Sequence, residues 1–321
     1  MSLRYVRRRV LQVLPVVAGI LLIGFALIEL APGDPVLALA GESGDEAYYA
    51  FVRERFGLDR PLPERFLIYA GNIVRGDLGV SYVQGRPVID VIADRLPPTM
   101  LLTGAALLIS TIVGISLGVY AATRRQRLPD IAIQVTTLAA DAAPVFWVGQ
   151  LAILAFALNL GLFPVQGMAD ARTPQGILAG ILDLAHHLAL PAMVLAVGEI
   201  AVVARMTRVG LIDELTQDYV RTARAKGLSE RTVVLRHALR RALIPVTTVI
   251  GGRVGHLISG AVIVETIFGW PGLGRLLVIA MQTRDMPIVM GIFLLVSLSV
   301  VIANLITDLI YGQLDPRIAY G

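Results

Sequence analysis

The chain has 321 residues, of which 56% are hydrophobic and only 16% charged, with a formal net charge of +4 and a mean hydropathy of +0.73. A soluble domain carries about 25% charged residues, so this balance excludes an ordinary soluble fold and points to the membrane class. Cysteine is absent, which excludes disulfides and thiolate metal sites. The single lysine, Lys226, is followed by Gly227 and not by Ser or Thr, so it cannot close a phosphate-cradling P-loop.

A helix needs about 20 mainly apolar residues to cross a hydrocarbon core. Six stretches meet or approach that length: 10–30, 100–122, 131–160, 188–204, 243–267 and 288–311. The expected fold class is therefore an all-α integral membrane protein with six transmembrane helices. In chain order it divides into a cytoplasmic N-terminus (1–9), a first transmembrane helix (10–31) and an external helical insert (32–97). A five-helix transmembrane core (98–312), with a cytoplasmic loop at 205–242, and a cytoplasmic C-terminus (313–321) follow.

The first stretch follows Arg4, Arg7, Arg8 and Arg9. It could also be a secretory signal with Ala38-Leu39-Ala40 as the cleavage triplet, but it is long for one. With the N-terminus inside, 17 Arg and Lys lie in the cytoplasmic segments. Only Arg172, Arg275 and Arg284 lie in the short external loops, which fixes the expected orientation. The seven arginines of the long 32–97 loop weigh little, because long loops translocate regardless of charge.

The insert reads as short amphipathic helices. Tyr49, Val52 and Phe56 share one face, and Phe66, Tyr69 and Ile73 share another. Pro61, Pro63, Pro97 and Pro98 punctuate it, and Gly76-Asp77-Leu78-Gly79 reads as a turn. It is either a cap over helix ends or a docking surface. The third stretch is long enough to be tilted or broken, and Pro144 lies where a kink would fall.

In the 205–242 loop, Asp218 can cap a helix over 219–226 that ends at Gly227, and Ser229 can cap a second helix running to about Arg241. Such a protrusion fits a cleft on a partner protein, or lies on anionic lipid through its arginines. Inside the spans the ionisable residues are Asp141, Glu199, Arg253, His256 and Asp308, with Glu29 and Glu265 near the ends. They form no repeated pattern between the halves of the chain, which argues against a proton- or sodium-coupled carrier. His186 and His187 are adjacent, without metal-ligand spacing, and read as a loop or interface pair.

The run from Asp218 to Ser229 (DYVRTARAKGLS) resembles the coupling loop of ABC importer permeases. Its Arg221-Thr222-Ala223 replaces the usual Glu-Ala-Ala before Gly227. That departure, with 76–81 (GDLGVS), 187–191 (HLALP), 236–245 (RHALRRALIP), 265–274 (ETIFGWPGLG) and Asp315-Pro316-Arg317, resembles the peptide/nickel branch of that family, first-permease type.

The resemblance implies the type I importer fold, with this chain forming half of a pore. It also implies a second permease subunit, two ABC ATPase subunits and an external solute-binding protein as partners, with ATP and magnesium held by the ATPases and no cofactor on this chain. Peptides are the first expected substrate, and nickel chelates, glutathione or oligosaccharides also travel through the branch. The chain itself would be no enzyme. ATPase coupling falls to Asp218, Tyr219, Arg221, Thr222, Ala223, Arg224, Ala225, Lys226, Gly227, Leu228 and Ser229. Glu265 and Trp270 would belong to an external gate. Arg253 either attracts a peptide carboxylate or pairs with an acidic group on a neighbouring helix. The competing class is a partner-independent carrier or channel.

Overall fold

The computed structural model describes residues 3–30, 46–47, 49–50, 60–170 and 176–314. The expected face through Val52 and Phe56, Pro32-Gly33-Asp34-Pro35, the 38–40 triplet, Arg172, Asp315-Pro316-Arg317 and the side chain of Asp308 lie outside the described residues.

Helix α1 (Leu3–Leu30) packs along α11 (Met286–Leu314). Helix α2 (Leu62–Val74) docks against the end of α1 through the expected Phe66–Tyr69–Ile73 face. The Phe25 ring meets Phe66 at 5.5 Å and Tyr69 at 5.8 Å, and Arg65 pairs with Glu29 at 2.6 Å. The expected turn follows, with Gly76 and Gly79 at φ 79° and 84° and the Gly79 amide donating to Asp77.

Helices α3 (Val88–Thr123) and α6 (Ile177–Leu215) are the principal pair. In lipid, helix association rests on close packing and not on apolar burial. Gly114 and Gly118 supply it: a Cβ at Gly118 would stand 2.6 Å from the Ala204 carbonyl, and one at Gly114 2.7 Å from Val203. With 36 and 39 residues these helices are about 54 and 58 Å long. Each therefore projects well beyond a hydrocarbon core of about 30 Å.

Two expectations change here. Pro97 and Pro98 do not punctuate an insert but lie inside α3. Ala93 and Asp94, whose carbonyls the prolines leave without a helical donor, sit on an exposed turn. The fourth apolar stretch extends upstream as helix, so His186 and His187 are helical and not in a loop. His186 Nε2 bonds the Leu162 carbonyl at 2.8 Å, and His187 Nδ1 bonds the Asp183 carbonyl at 2.9 Å.

The third stretch is broken at Pro144, one of the forms its length allows. Helix α4 (Leu128–Ala142) and α5 (Val145–Asn159) meet at 105°, with Pro144 in extended conformation between them. Beyond α6 come α7 (Asp218–Ala225), α8 (Glu230–Gly252), α9 (Val254–Ile267) and α10 (Leu273–Gln282). The second loop helix does not stop near Arg241. It runs on through a widened turn at Val233–Ala238 to Gly252, so the connection between α6 and α8 is only residues 216–229. Gly251 and Gly255 admit Thr307 and Val300 of α11, the close approach their spacing implies.

By length and composition, three helices among the described residues can cross a membrane, or five if each bent pair is one span. The apolar part of α1, Leu11–Leu27, is shorter. The described residues hold one isolated β-bridge, Val80 to Pro87, and otherwise helices and turns.

Candidate functional site

Three polar constellations stand out, at a loop, at a helix break and beneath a turn. The loop is 216–229. Val220 and Ala223, on the inner side of α7, join Ala122, Leu211, Val233, Val234, Ala238 and Ala242 in one apolar cluster. That base leaves Asp218, Arg221, Thr222, Ala225 and Lys226 exposed on the outer side. Leu228 is also exposed.

Asp218 is not the cap. It is the first helical residue, Gln217 precedes it without a side-chain cap bond, and its carboxylate lies near Arg221 at 3.4 Å. An acidic residue in the first turn favours the helix through the macrodipole instead. At the other end Gly227 adopts φ +80° and its amide donates to the Arg224 carbonyl at 2.9 Å. That is the left-handed residue such a stop requires. Ser229 does cap the next helix, accepting from the Thr232 amide at 3.4 Å.

Side chains lock the loop to its neighbours. Arg224 grips Glu230 with two bonds, of 2.7 and 3.1 Å, and thereby holds the Glu230 carboxyl below its usual range. Tyr219 donates to Glu214 at 2.6 Å and lies under the Arg241 guanidinium at 4.4 Å. Burial, with Glu214 beside it, pushes the Tyr219 phenol up to about 12.

The helix break is at Arg253, which ends α8 and begins α9. Its Nε and Nη2 donate to the two oxygens of Glu199 on α6, at 2.8 and 3.0 Å. The structure thus supplies the acidic neighbour of one of the two readings of Arg253. His256 Nδ1 reaches the same Glu199 carboxylate at 3.0 Å. Nearby pairs join α6 to α4: Arg205 to Asp141 at 3.0 Å, and Arg208 to a buried Asp130 at 2.6 Å. Asp130 also accepts from the Gln126 amide and from Gln134. Glu199 and Arg253 are 54 residues apart, and no spacing rule joins them. The one sequence signal was the cost of a lone charge in lipid, which demands a partner.

The turn is 265–274, and it brings Glu265 and Trp270 together. Both are fully buried. Glu265 accepts from Thr99 at 2.6 Å, from the Gly274 amide at 2.6 Å and from the Arg275 amide at 3.2 Å. The last two belong to the first turn of α10, where a carboxylate satisfies amides that have no helical acceptor. Trp270 Nε1 donates to the Pro98 carbonyl at 2.9 Å, inside α3. Close by, Asp285 accepts from Ser81 and from the Tyr82 and Val83 amides, tying the 80–87 hairpin down. None of these 80–285 contacts is legible in the sequence. Among the described residues no group of three His, Cys, Asp or Glu could hold a metal.

A helical membrane chain with a glycine-stopped protrusion on a buried base, and charges paired between its spans, is a transport subunit in form. The chain belongs to the binding-protein-dependent transport system inner membrane component family. That family matches residues 114–320, and its N-terminal companion matches residues 2–103. It is 41% identical to the di/tripeptide transport system permease protein DppB of Pseudomonas aeruginosa, covering 99% of each chain. It is 40% identical to the glutathione transport system permease protein GsiC of Escherichia coli O6:H1, and 39% identical to the dipeptide transport system permease protein DppB of Escherichia coli K12. Both of those alignments also cover 99% of each chain.

Proposed function

We propose that this chain is one half of the pore of an ATP-driven importer of short peptides, and that α7 is its contact with an ATPase subunit. The observation that carries the reading is the 216–229 protrusion, whose inner side is buried in the fold and whose outer side is left open to a partner. The relatives' names, which concern dipeptides, tripeptides and glutathione, support a peptide as cargo.

The pore then has six spans per subunit: α1, α3, the α4–α5 pair, α6, the α8–α9 pair and α11. Both termini and the 216–229 loop lie in the cytoplasm, the side on which basic residues gather. A second permease completes the pore, two ATPases hold ATP and magnesium, and an external binding protein delivers the peptide. The chain catalyses no reaction itself. Residues 32–97 form the external part, with the first turns of α3 rising into it. Thr99, Glu265 and Trp270 hold the external end closed as one rigid unit, and closure of the ATPases moves α7, with α6 and α8 attached.

Purification in mild detergent followed by reconstitution into liposomes tests this. ATP-dependent uptake of alanyl-alanine should require the second permease, the ATPases and the loaded binding protein. Uptake by this chain alone, indifferent to ATP, would refute it.

A further inference from the structure

Along α9, His256, Ser259, Ile263 and Thr266 share one exposed face, polar at three of its four positions. The exposed stripe of α3 is more apolar, with Leu101, Leu108, Ile112 and Val113 before Ser116, whose hydroxyl is turned back onto the Ile112 carbonyl. Hydrocarbon accommodates the α3 stripe. It does not accommodate an imidazole that is 68% exposed in mid-span. The face of α9 therefore borders water or protein.

Behind it, Glu199 is buried and fixes Arg253 by Nε and Nη2, which leaves Nη1 of the same guanidinium uncommitted among the described contacts. The His256 contact requires the proton to be on Nδ1, since an ionised Glu199 can only accept. Nε2 then lies on the opposite edge of the ring, and a protonated ring donates from it too. The Asp141–Arg205 pair stands beside this group, and the Asp141 charge acts on Arg253 as well. Arg253 and Arg205 each already have a carboxylate and His256 shares Glu199, so the cluster is tolerable in the membrane when empty, yet its outward edge offers donors.

We infer that Arg253 and His256, held by Glu199, form a subsite on the translocation pathway that recognises the carboxylate terminus of a passing peptide. The inference rests on the reading of the chain as half of a peptide pore. A carboxylate taking Arg253 Nη1 gains a charge-assisted bond in a pre-oriented site. A neutral C-terminal amide at the same place gains only the weaker neutral contact. Neither substrate has to break the Arg253–Glu199 pair, so cargo can leave as readily as it enters.

The test uses the complete reconstituted complex, with alanyl-alanine and its C-terminal amide each offered on binding protein saturated with it. The wild type should move the free acid about tenfold faster than the amide, the value of one hydrogen bond to a charged group. Arg253→Gln should bring that ratio close to one, and His256→Ala should lower it by a smaller factor. His256 is exposed, so its variant keeps the test open if Arg253→Gln fails to fold. A ratio that stays put in His256→Ala overturns the subsite. If that variant also loses the second permease, the face is a subunit contact only. No uptake of either substrate by the wild type would overturn the importer reading and the subsite with it. Equal uptake of both would overturn the subsite alone.

Discussion

Of the turns that stop a helix on a glycine with positive φ, those at Gly227 (+80°) and Gly269 (+60°) are otherwise opposites. Around Gly269 the polar groups are turned inward: Glu265 serves Thr99 and two backbone amides, Trp270 serves Pro98, and the Arg275 guanidinium serves the Gly269 carbonyl at 2.7 Å. Around Gly227 the apolar groups are turned inward and the charges face out. The first arrangement makes a rigid joint that has no need of a partner. The second has a fixed base and an unfinished surface, which is the form a contact with another protein requires.

Substitution at Glu265 should break the comparison most severely. Glu265→Ala leaves the Gly274 and Arg275 amides without their acceptor and the Thr99 hydroxyl with only the long Arg95 carbonyl contact, at about 1–3 kcal/mol for each group left unpaired. The expected loss is several kcal/mol, read as a large drop in melting temperature and in recovered complex. Gly272→Ala should act the same way, because its Cβ would run into the Glu265 carboxylate. An unchanged melting temperature in Glu265→Ala would show that the joint is held by packing alone.

Gly227→Val meets no neighbouring atom, since open space surrounds the position, so its cost is confined to the turn and should move the melting temperature far less than Glu265→Ala. A β-branched residue at φ +80° instead strains the turn by about 1–3 kcal/mol. That corresponds to about five- to 150-fold in the population of the productive turn. Transport per ATP hydrolysed should fall within that range while the chain stays folded. Normal coupling in this variant would remove the loop from the mechanism.

The sequence revealed the two turns unequally, and the reason is range. Gly227, Ser229 and the α7 helix are local features, legible from capping residues and glycine, and the structure moved the helix by only one residue at each end, from 219–226 to 218–225. The apolar stretches were legible too, but their limits were not. Continuous helix extends beyond the membrane in α3 and α6, where composition turns polar without a stop signal. Pro97 and Pro98 looked like breakers because tertiary context, including a tryptophan 172 residues away, cannot be seen locally. The Glu199–Arg253 and Ser81–Asp285 pairs depend on chain separations of 54 and 204 residues, for which no periodicity exists.

The Arg224–Glu230 pair offers the finest discrimination between the two turns. It is bidentate, but its side chains are 42% and 61% exposed, so solvent screens it. An exposed pair contributes about 0.2–1 kcal/mol, and this one belongs at the low end. Arg224 lowers the folded pKa of Glu230 below its ordinary 4.5. Its contribution is therefore present above that value and is lost as pH falls through the lower folded one. Arg224→Ala should cost a few tenths of a kcal/mol at neutral pH. The difference from wild type should shrink in high salt, start to fall as pH drops below 4.5 and vanish once pH has passed the lower folded value. The cost of Glu265→Ala, by contrast, should be indifferent to salt, because that carboxylate is buried. If the Arg224 difference were equally indifferent to salt, the outer side of the 216–229 loop would be as internally satisfied as the 265–274 turn. The contrast between a finished joint and an open surface would then fail.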